Sequence, residues 1–247
     1  MTRIVIVGAT STIASQCARI WVERDSVELT LVGRDEASLK RLAKDLKVRN
    51  KSTVVKVETL DFAKPRQIQT LVDSLYSKSA VDVVLIAHGV MPEQSDAQKS
   101  LTVIKNEVEI NSTSVMMFAE AFASAMDQAG IGHIAIIGSV AGDRGRRTNY
   151  IYGATKALLA TYAEGLAHRF ANDAVKVSLI KPGPTSTAMT AKLAAQGRKL
   201  ADPAVVASQI VQGLDKYKPV IYAPGVWRYI MFVIRHLPRS VFNRLNV

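Results

Sequence analysis

A chain of 247 residues, 48% apolar and 21% charged, is long enough to bury a full core in one domain and too apolar to be disordered. Its single cysteine, Cys17, excludes an internal disulfide and fits a reducing, cytoplasmic setting. The net charge of +11 is uneven: from Lys216 to Val247 there is no Asp or Glu, while Lys216, Lys218, Arg228, Arg235, Arg239 and Arg244 are all basic. These cations alternate with bulky aliphatics rather than forming a polar recognition face, which argues against nucleic acid.

The first strand is predicted over Ile4–Val7. It runs into Gly8-Ala-Thr-Ser-Thr-Ile-Ala14 and a helix over Thr12–Arg24. A small-residue turn at a helix N-terminus can bring backbone N–H groups to a diphosphate. A plain strand-to-helix turn capped by Thr or Ser would read the same way. The second strand, Leu29–Val32, ends in Gly33-Arg34. A basic residue there suits a ribose 2′-phosphate, so NADP(H) is favoured over NAD(H); the alternative is a solvated surface Arg. A helix over Glu36–Val48 and a strand over Thr53–Thr59 follow. Asp61 then stands either to bond an adenine amino group or to cap the helix over Lys64–Ser77. The fourth strand is Val81–Ile86, and one long helix is predicted over Asn106–Gln128. Strands over His133–Gly138, Lys176–Ile180 and Val220–Tyr222 alternate with helices over Ile151–Asn172 and Pro203–Tyr217. Seven short strands alternating with helices predict an α/β fold, a doubly wound parallel sheet covered on both faces. Residues 1–223 form one catalytic domain and 224–247 a C-terminal helical extension. Ligands of such a fold sit at the carboxyl ends of its strands.

Ser139 ends the fifth strand, and Tyr152 and Lys156 stand four residues apart on the next helix, one turn from each other. A hydroxyl, a phenol and an ammonium are the parts for moving a proton to or from an alcohol or carbonyl oxygen. A free phenol is too weak an acid to be a base at neutral pH, and a nearby ammonium favours the phenolate. Tyr150 lacks such a partner, since Ala154 lies four residues on. Among four His and one Cys no metal-ligand pattern is present.

Gly8-Ala-Thr-Ser-Thr-Ile13, Asp61, Ala87-His-Gly89, Asn111, Ser139, Tyr152 with Lys156, and Pro182-Gly183, in that order and spacing, resemble the short-chain dehydrogenase/reductase family over nearly the whole chain. The resemblance implies a Rossmann-like fold, an NAD(P)-dependent oxidoreductase and an oligomer, dimer or tetramer. It makes Tyr152 the general acid or base, Lys156 the residue that lowers its pKa and binds the nicotinamide ribose, Ser139 the holder of the substrate oxygen, and Asn111 a support for a proton relay. It assigns the cofactor to Gly8, Thr10, Ser11, Thr12, Ile13, Arg34, Asp61, Phe62, Ala87, Gly89, Tyr152, Lys156, Pro182 and Thr185. His88 reads as a packing or substrate-shaping residue. Two departures stand out. Thr12 and Ala14 replace two glycines of the family's phosphate turn, and Ile86-Ala-His-Gly89 replaces its Asn-Asn-Ala-Gly.

The tail Val226–Leu237 reads as a helix apolar nearly all round, with Arg228 and Arg235 on one side. It is shorter than the roughly 20 residues needed to span a bilayer. It suits a membrane surface, a cover for the substrate cleft, or a sister subunit. The loop Ala141-Gly-Asp-Arg-Gly-Arg-Arg147 and Arg235-His-Leu-Pro-Arg-Ser-Val-Phe242 resemble one branch of the family, the reductase component of decaprenylphosphoryl-ribose 2′-epimerisation. That resemblance implies a keto sugar on a polyprenyl phosphate as substrate, a flavin oxidase as partner, and a place at the inner face of the membrane. Arg144, Arg146 and Arg147 would then bind phosphate, and Trp227 would line a lipid groove. The readings beside it are a reductase of a small soluble ketone and an NADPH-binding regulator without turnover.

Overall fold

The computed structural model describes residues 1–245. Seven parallel strands form one sheet: β1 (Thr2–Val7), β2 (Val27–Gly33), β3 (Val54–Thr59), β4 (Val83–Ile86), β5 (Gly132–Ile137), β6 (Val175–Pro182) and β7 (Val220–Ala223), in the order β3-β2-β1-β4-β5-β6-β7. The inner strands alternate their side chains between two cores, while the edge strands β3 and β7 feed only one. In β1, Ile4 and Ile6 face one core and Val5 and Val7 the other, which is why the inner strands are apolar almost without interruption.

Helices α1 (Thr12–Arg24) and α2 (Glu36–Arg49) cover one face, and α3 (Pro65–Tyr76) the other. Their ends carry ordinary signals. The Asp35 carboxylate caps α2 by accepting from Ser38 N–H at 3.2 Å, and Pro65 opens α3. After β4 come α4 (Gln94–Ala97) and α5 (Leu101–Val108), then a π-turn over Glu109–Thr113 and α6 (Ser114–Ala129). The single helix predicted over Asn106–Gln128 is therefore split in the middle and begins earlier. Ser100 caps α5. The break falls on Asn111, Ser112 and Ser114, whose side chains bond Val90, Thr155 and the Ile110 carbonyl; such local competition widens a helix. Gly130, at φ +67°, ends α6.

A 3₁₀ turn over Val140–Gly142 leads to α7 (Tyr150–Arg169). After β6, a second 3₁₀ turn (Ala188–Thr190), the short α8 (Ala191–Ala195) and α9 (Pro203–Asp215) follow, and α9 packs along α1. The chain ends with α10 (Trp227–His236) and α11 (Arg239–Phe242). Asn246 and Val247, the last residues of the extension, lie outside the described residues. Among the described residues no helix is long and apolar enough to cross a membrane.

One buried ion pair ties the loop after β5 to the last two strands. Lys181 on β6 bonds Asp143 Oδ1, and the Tyr222 hydroxyl of β7 donates to Asp143 Oδ2 at 2.8 Å. The Asp143 side chain is 2% exposed. Removing the cation would leave a buried carboxylate uncompensated, so Lys181→Met is expected to cost about 3 kcal/mol, read as a lower urea midpoint at unchanged slope. A midpoint equal to wild type would show that the pair holds nothing together.

Candidate active site

A cleft of about 860 Å³ opens at the carboxyl ends of the strands. The loops after β1 and β4 diverge there, as β2 lies on one side of β1 and β4 on the other. Gly8 sits at φ +78°, and a Cβ on it would come 2.6 Å from His88 N. Only glycine lets these two loops meet. Ser11 does not cap α1 with its side chain, so the first turn of α1 offers its N–H groups to the cleft beside Thr10, Ser11, Thr12 and Ile13. Ala14, where the family's turn carries glycine, is fully buried against the sheet. Arg34 is exposed at the cleft wall with Gly33 beside it.

The other expected cofactor residues also line this cleft: Asp61, Phe62, Ala87, Gly89, Pro182 and Thr185. Asp61 is not the helix cap that the sequence allowed. Lys64 is the N-cap of α3, and the Asp61 carboxylate accepts from Ala63 N–H at 3.0 Å in a local turn. Phe62 packs edge-on against His88 and Phe118, with ring centroids 4.7 and 5.1 Å away. Ser114 Oγ donates to the Ile110 carbonyl and lies 2.8 Å from His88 Nε2, which assigns the imidazole proton to Nε2. Burial, helped by the Lys156 and Arg34 charges, pushes the His88 pKa down to about 3. His88 is neutral and packs against Phe62 and Phe118 at the edge of the cleft. A loop free of Cβ at Gly8, uncapped N–H groups and a basic rim fit a phosphate-bearing dinucleotide.

At the other end, Ser139, Tyr152 and Lys156 converge. Ser139 Oγ accepts from Ala141 N–H at 3.1 Å, which fixes its rotamer at the end of β5. The Ser139 hydroxyl stands beside the Tyr152 phenol and acts to lower its pKa. Lys156 is buried, donates to the Ile137 carbonyl at 3.0 Å and lies 5.8 Å from the centroid of the Tyr152 ring. The expected fall in the phenol pKa is not found. Burial pushes it up to about 12, against the lowering effect of the Ser139 hydroxyl. Burial likewise pulls Lys156 down to about 8. The low-dielectric surroundings dominate, and the phenol is a proton donor at neutral pH.

Asn111 is brought close but does not line the cleft. Its Oδ1 accepts from Val90 N–H at 2.7 Å, and its Nδ2 donates to the Val90 carbonyl at 2.8 Å and to Thr155 Oγ1 at 3.3 Å. The side-chain amide is fully engaged, and it clamps the loop after β4 to the π-turn.

The basic loop separates into different roles. Arg144 turns away from the cleft: it donates to the carbonyls of Ile234 and Leu237, closing the end of α10, and its guanidinium stacks 3.8 Å over the Phe242 ring. Arg147 does not line the cleft either. Arg146 does, with Nη2 against Met231 Sδ at 3.2 Å and a buried Nε that has no hydrogen-bond partner among the described residues. Trp227 covers the Pro182-Gly183 turn, where a Cβ on Gly183 would run into its indole. Among the described residues, those of α10 do not line the cleft themselves; Trp227 and Met231 back the cleft residues Gly183 and Arg146. The inner face of α10 buries Met231, and its outer face exposes Tyr229, Phe232 and Val233.

Two site residues escaped the sequence. Asn149, just ahead of α7, lines the cleft with a buried Oδ1 that has no partner among the described residues. Glu107 is buried within α5, near Lys156. Its signal was a carboxylate at an inward-facing helical position, three residues before Ile110.

A sequence model of the family described as short chain dehydrogenase matches residues 2–198. The chain belongs to that family and is an NAD(P)-dependent oxidoreductase. It is 28% identical over 245 residues to an uncharacterized oxidoreductase of Streptomyces coelicolor from the mprA 5′ region, covering 99% of this chain and 96% of that one. Two solved structures share the fold. A short-chain dehydrogenase from Sphingobium yanoikuyae in complex with NADPH has a TM-score of 0.82 at 22% identity, covering 97% of this chain and 98% of that one. A short chain dehydrogenase from Burkholderia cenocepacia in complex with NADP has a TM-score of 0.81 at 16% identity, covering 100% and 98%.

Proposed function

We propose that the protein is an NADPH-dependent carbonyl reductase. The observation that carries this is a neutral phenol, beside Ser139 and flanked by Lys156, at one end of a cleft whose other end is a phosphate-type turn and Arg34. The cofactor supplies the hydride. Tyr152 gives its proton to the substrate oxygen, and Ser139 hydrogen-bonds that oxygen as charge develops on it. Lys156 offers a positive charge against the phenolate that forms. Arg34 takes the 2′-phosphate. The NADPH and NADP held by the two structural relatives support this preference.

The substrate we favour is a keto sugar carried on a polyprenyl phosphate. Arg146 supports an anionic group on the substrate, because its guanidinium is half-buried at the cleft and bonded to a thioether instead of a carboxylate. The outer apolar face of α10, with Arg228 and Arg235 along one edge, would hold the protein at the membrane surface where such a lipid resides. A flavin oxidase that makes the ketone from the alcohol would precede it.

Tyr152→Phe is expected to lower ketone-dependent NADPH oxidation by about 10²–10⁴-fold, while NADPH fluorescence titration gives a nearly unchanged Kd. An unchanged rate would mean that another group is the acid. Arg34→Ala is expected to weaken NADPH about tenfold or more and NADH hardly at all; equal losses would remove the preference. Arg146→Met is expected to raise KM about tenfold for a phosphate-bearing ketone and to leave KM for a neutral ketone unchanged. An equal rise for both would place Arg146 in the scaffold instead.

A further inference from the structure

The side chain that α5 buries is a carboxylate. Glu107 is 1% exposed, and its Oε1 has no hydrogen-bond partner among the described residues. Other buried cations have ion-pair partners: Arg3 pairs with Glu28, and Lys181 with Asp143. Lys156 has no ion pair among the described residues; its ammonium rests on a neutral carbonyl, that of Ile137. Among the described residues, Glu107 and Lys156 are thus a buried anion and a buried cation without an ion-pair partner, on the neighbouring helices α5 and α7.

Asn111 connects the two positions. It stands one turn after Glu107. A Cβ on Gly89 would lie 3.1 Å from Asn111 Oδ1 and 3.6 Å from Lys156 Nζ. The carboxyl, the amide and the ammonium therefore follow one another along the inner side of the site. Because its amide is engaged by Val90 and Thr155, Asn111 is not free to compensate either charge.

We propose that Glu107 is the buried counter-charge that sets the protonation state of Lys156, and so acts as a positioning residue for the Tyr152 centre. Besides Lys156, the other charged side chains on the elements around it are Asp96 on α4, Lys105 on α5 itself, Glu109 on the π-turn, and Glu164 and Arg169 further along α7. The field of Glu107 acts on Lys156 and on Tyr152 across the gap to α7. Burial alone would strip the proton from Lys156, and the Glu107 carboxylate opposes that loss. Lys156 in turn opposes the rise that burial imposes on Glu107. The same negative charge adds to the burial that keeps the phenol protonated, the form that gives a proton to a carbonyl oxygen. Each group holds the others in the charge state that reduction requires.

The inference draws its catalytic meaning from the reductase reading, but its test needs no substrate. Protein labelled with ¹³C at lysine Cε is titrated by NMR, with the Lys156 resonance assigned by its loss in Lys156→Arg. The Lys156 midpoint, about 8 in the native chain, is expected to fall by about one unit in Glu107→Gln. Glu107→Asp, which keeps the charge, is expected to restore most of the shift. If the Gln variant does not fold, Glu107→Leu carries the same expectation, since it removes the charge and leaves no polar atom buried. Equal midpoints in the native chain and in a folded neutral variant would overturn the proposal. A shifted midpoint in a protein that reduces no ketone would uphold the charge pair and sink the reductase reading instead.

Discussion

The loops after β1 and β4 meet backbone to backbone at Gly8 and His88, and the cleft depends on that contact. No Cβ fits between them at Gly8. Their meeting anchors the switch point of the sheet, where α1 departs to one face and the chain after β4 to the other. From there α1 points its first turn into the cleft. The His88 ring is turned into the core against Phe62 and Phe118, where burial keeps it neutral. The family's Asn-Asn-Ala-Gly is therefore replaced by a plug of stacked rings without loss of the backbone approach.

The reacting end rests on low dielectric rather than on direct ion pairing. Lys156 is held by a carbonyl, Tyr152 stands beside a hydroxyl, and no group bonds Glu107 Oε1 among the described residues. Charges so placed act on one another with little screening. This is why the phenol rises although a lysine stands one turn away, and why a carboxylate on a different helix matters to both. The π-turn is part of the same arrangement: it spends Asn111 on the loop after β4.

The basic loop after Ser139 shows how residues of one type divide their work. Arg144 closes the end of α10, so the C-terminal extension is attached through it to the loop that carries the 3₁₀ turn. Asp143, next in line, anchors that loop to β6 and β7 through Lys181 and Tyr222. Arg146 alone of the three expected phosphate residues reaches the cleft. Three neighbouring guanidinium groups look alike in sequence; a rise or turn of a few residues decides which one closes a helix end and which one lines the cleft.

The seven strands, the flanking helices and the Ser139–Tyr152–Lys156 set were legible from the sequence, because each rests on short-range rules: alternation of strand and helix, small residues at a turn, and one helical turn between a phenol and an amine. What lies beyond those rules was decided by the tertiary structure. It put a π-turn into the helix over Asn106–Gln128, spent Asn111 on Val90, turned Arg144 outward and laid Trp227 on the Pro182-Gly183 turn. It also reversed the expected direction of the Tyr152 shift. A pKa and a hydrogen-bond partner depend on what is buried around a group, and burial is a property of the packed chain, not of neighbouring positions in the sequence.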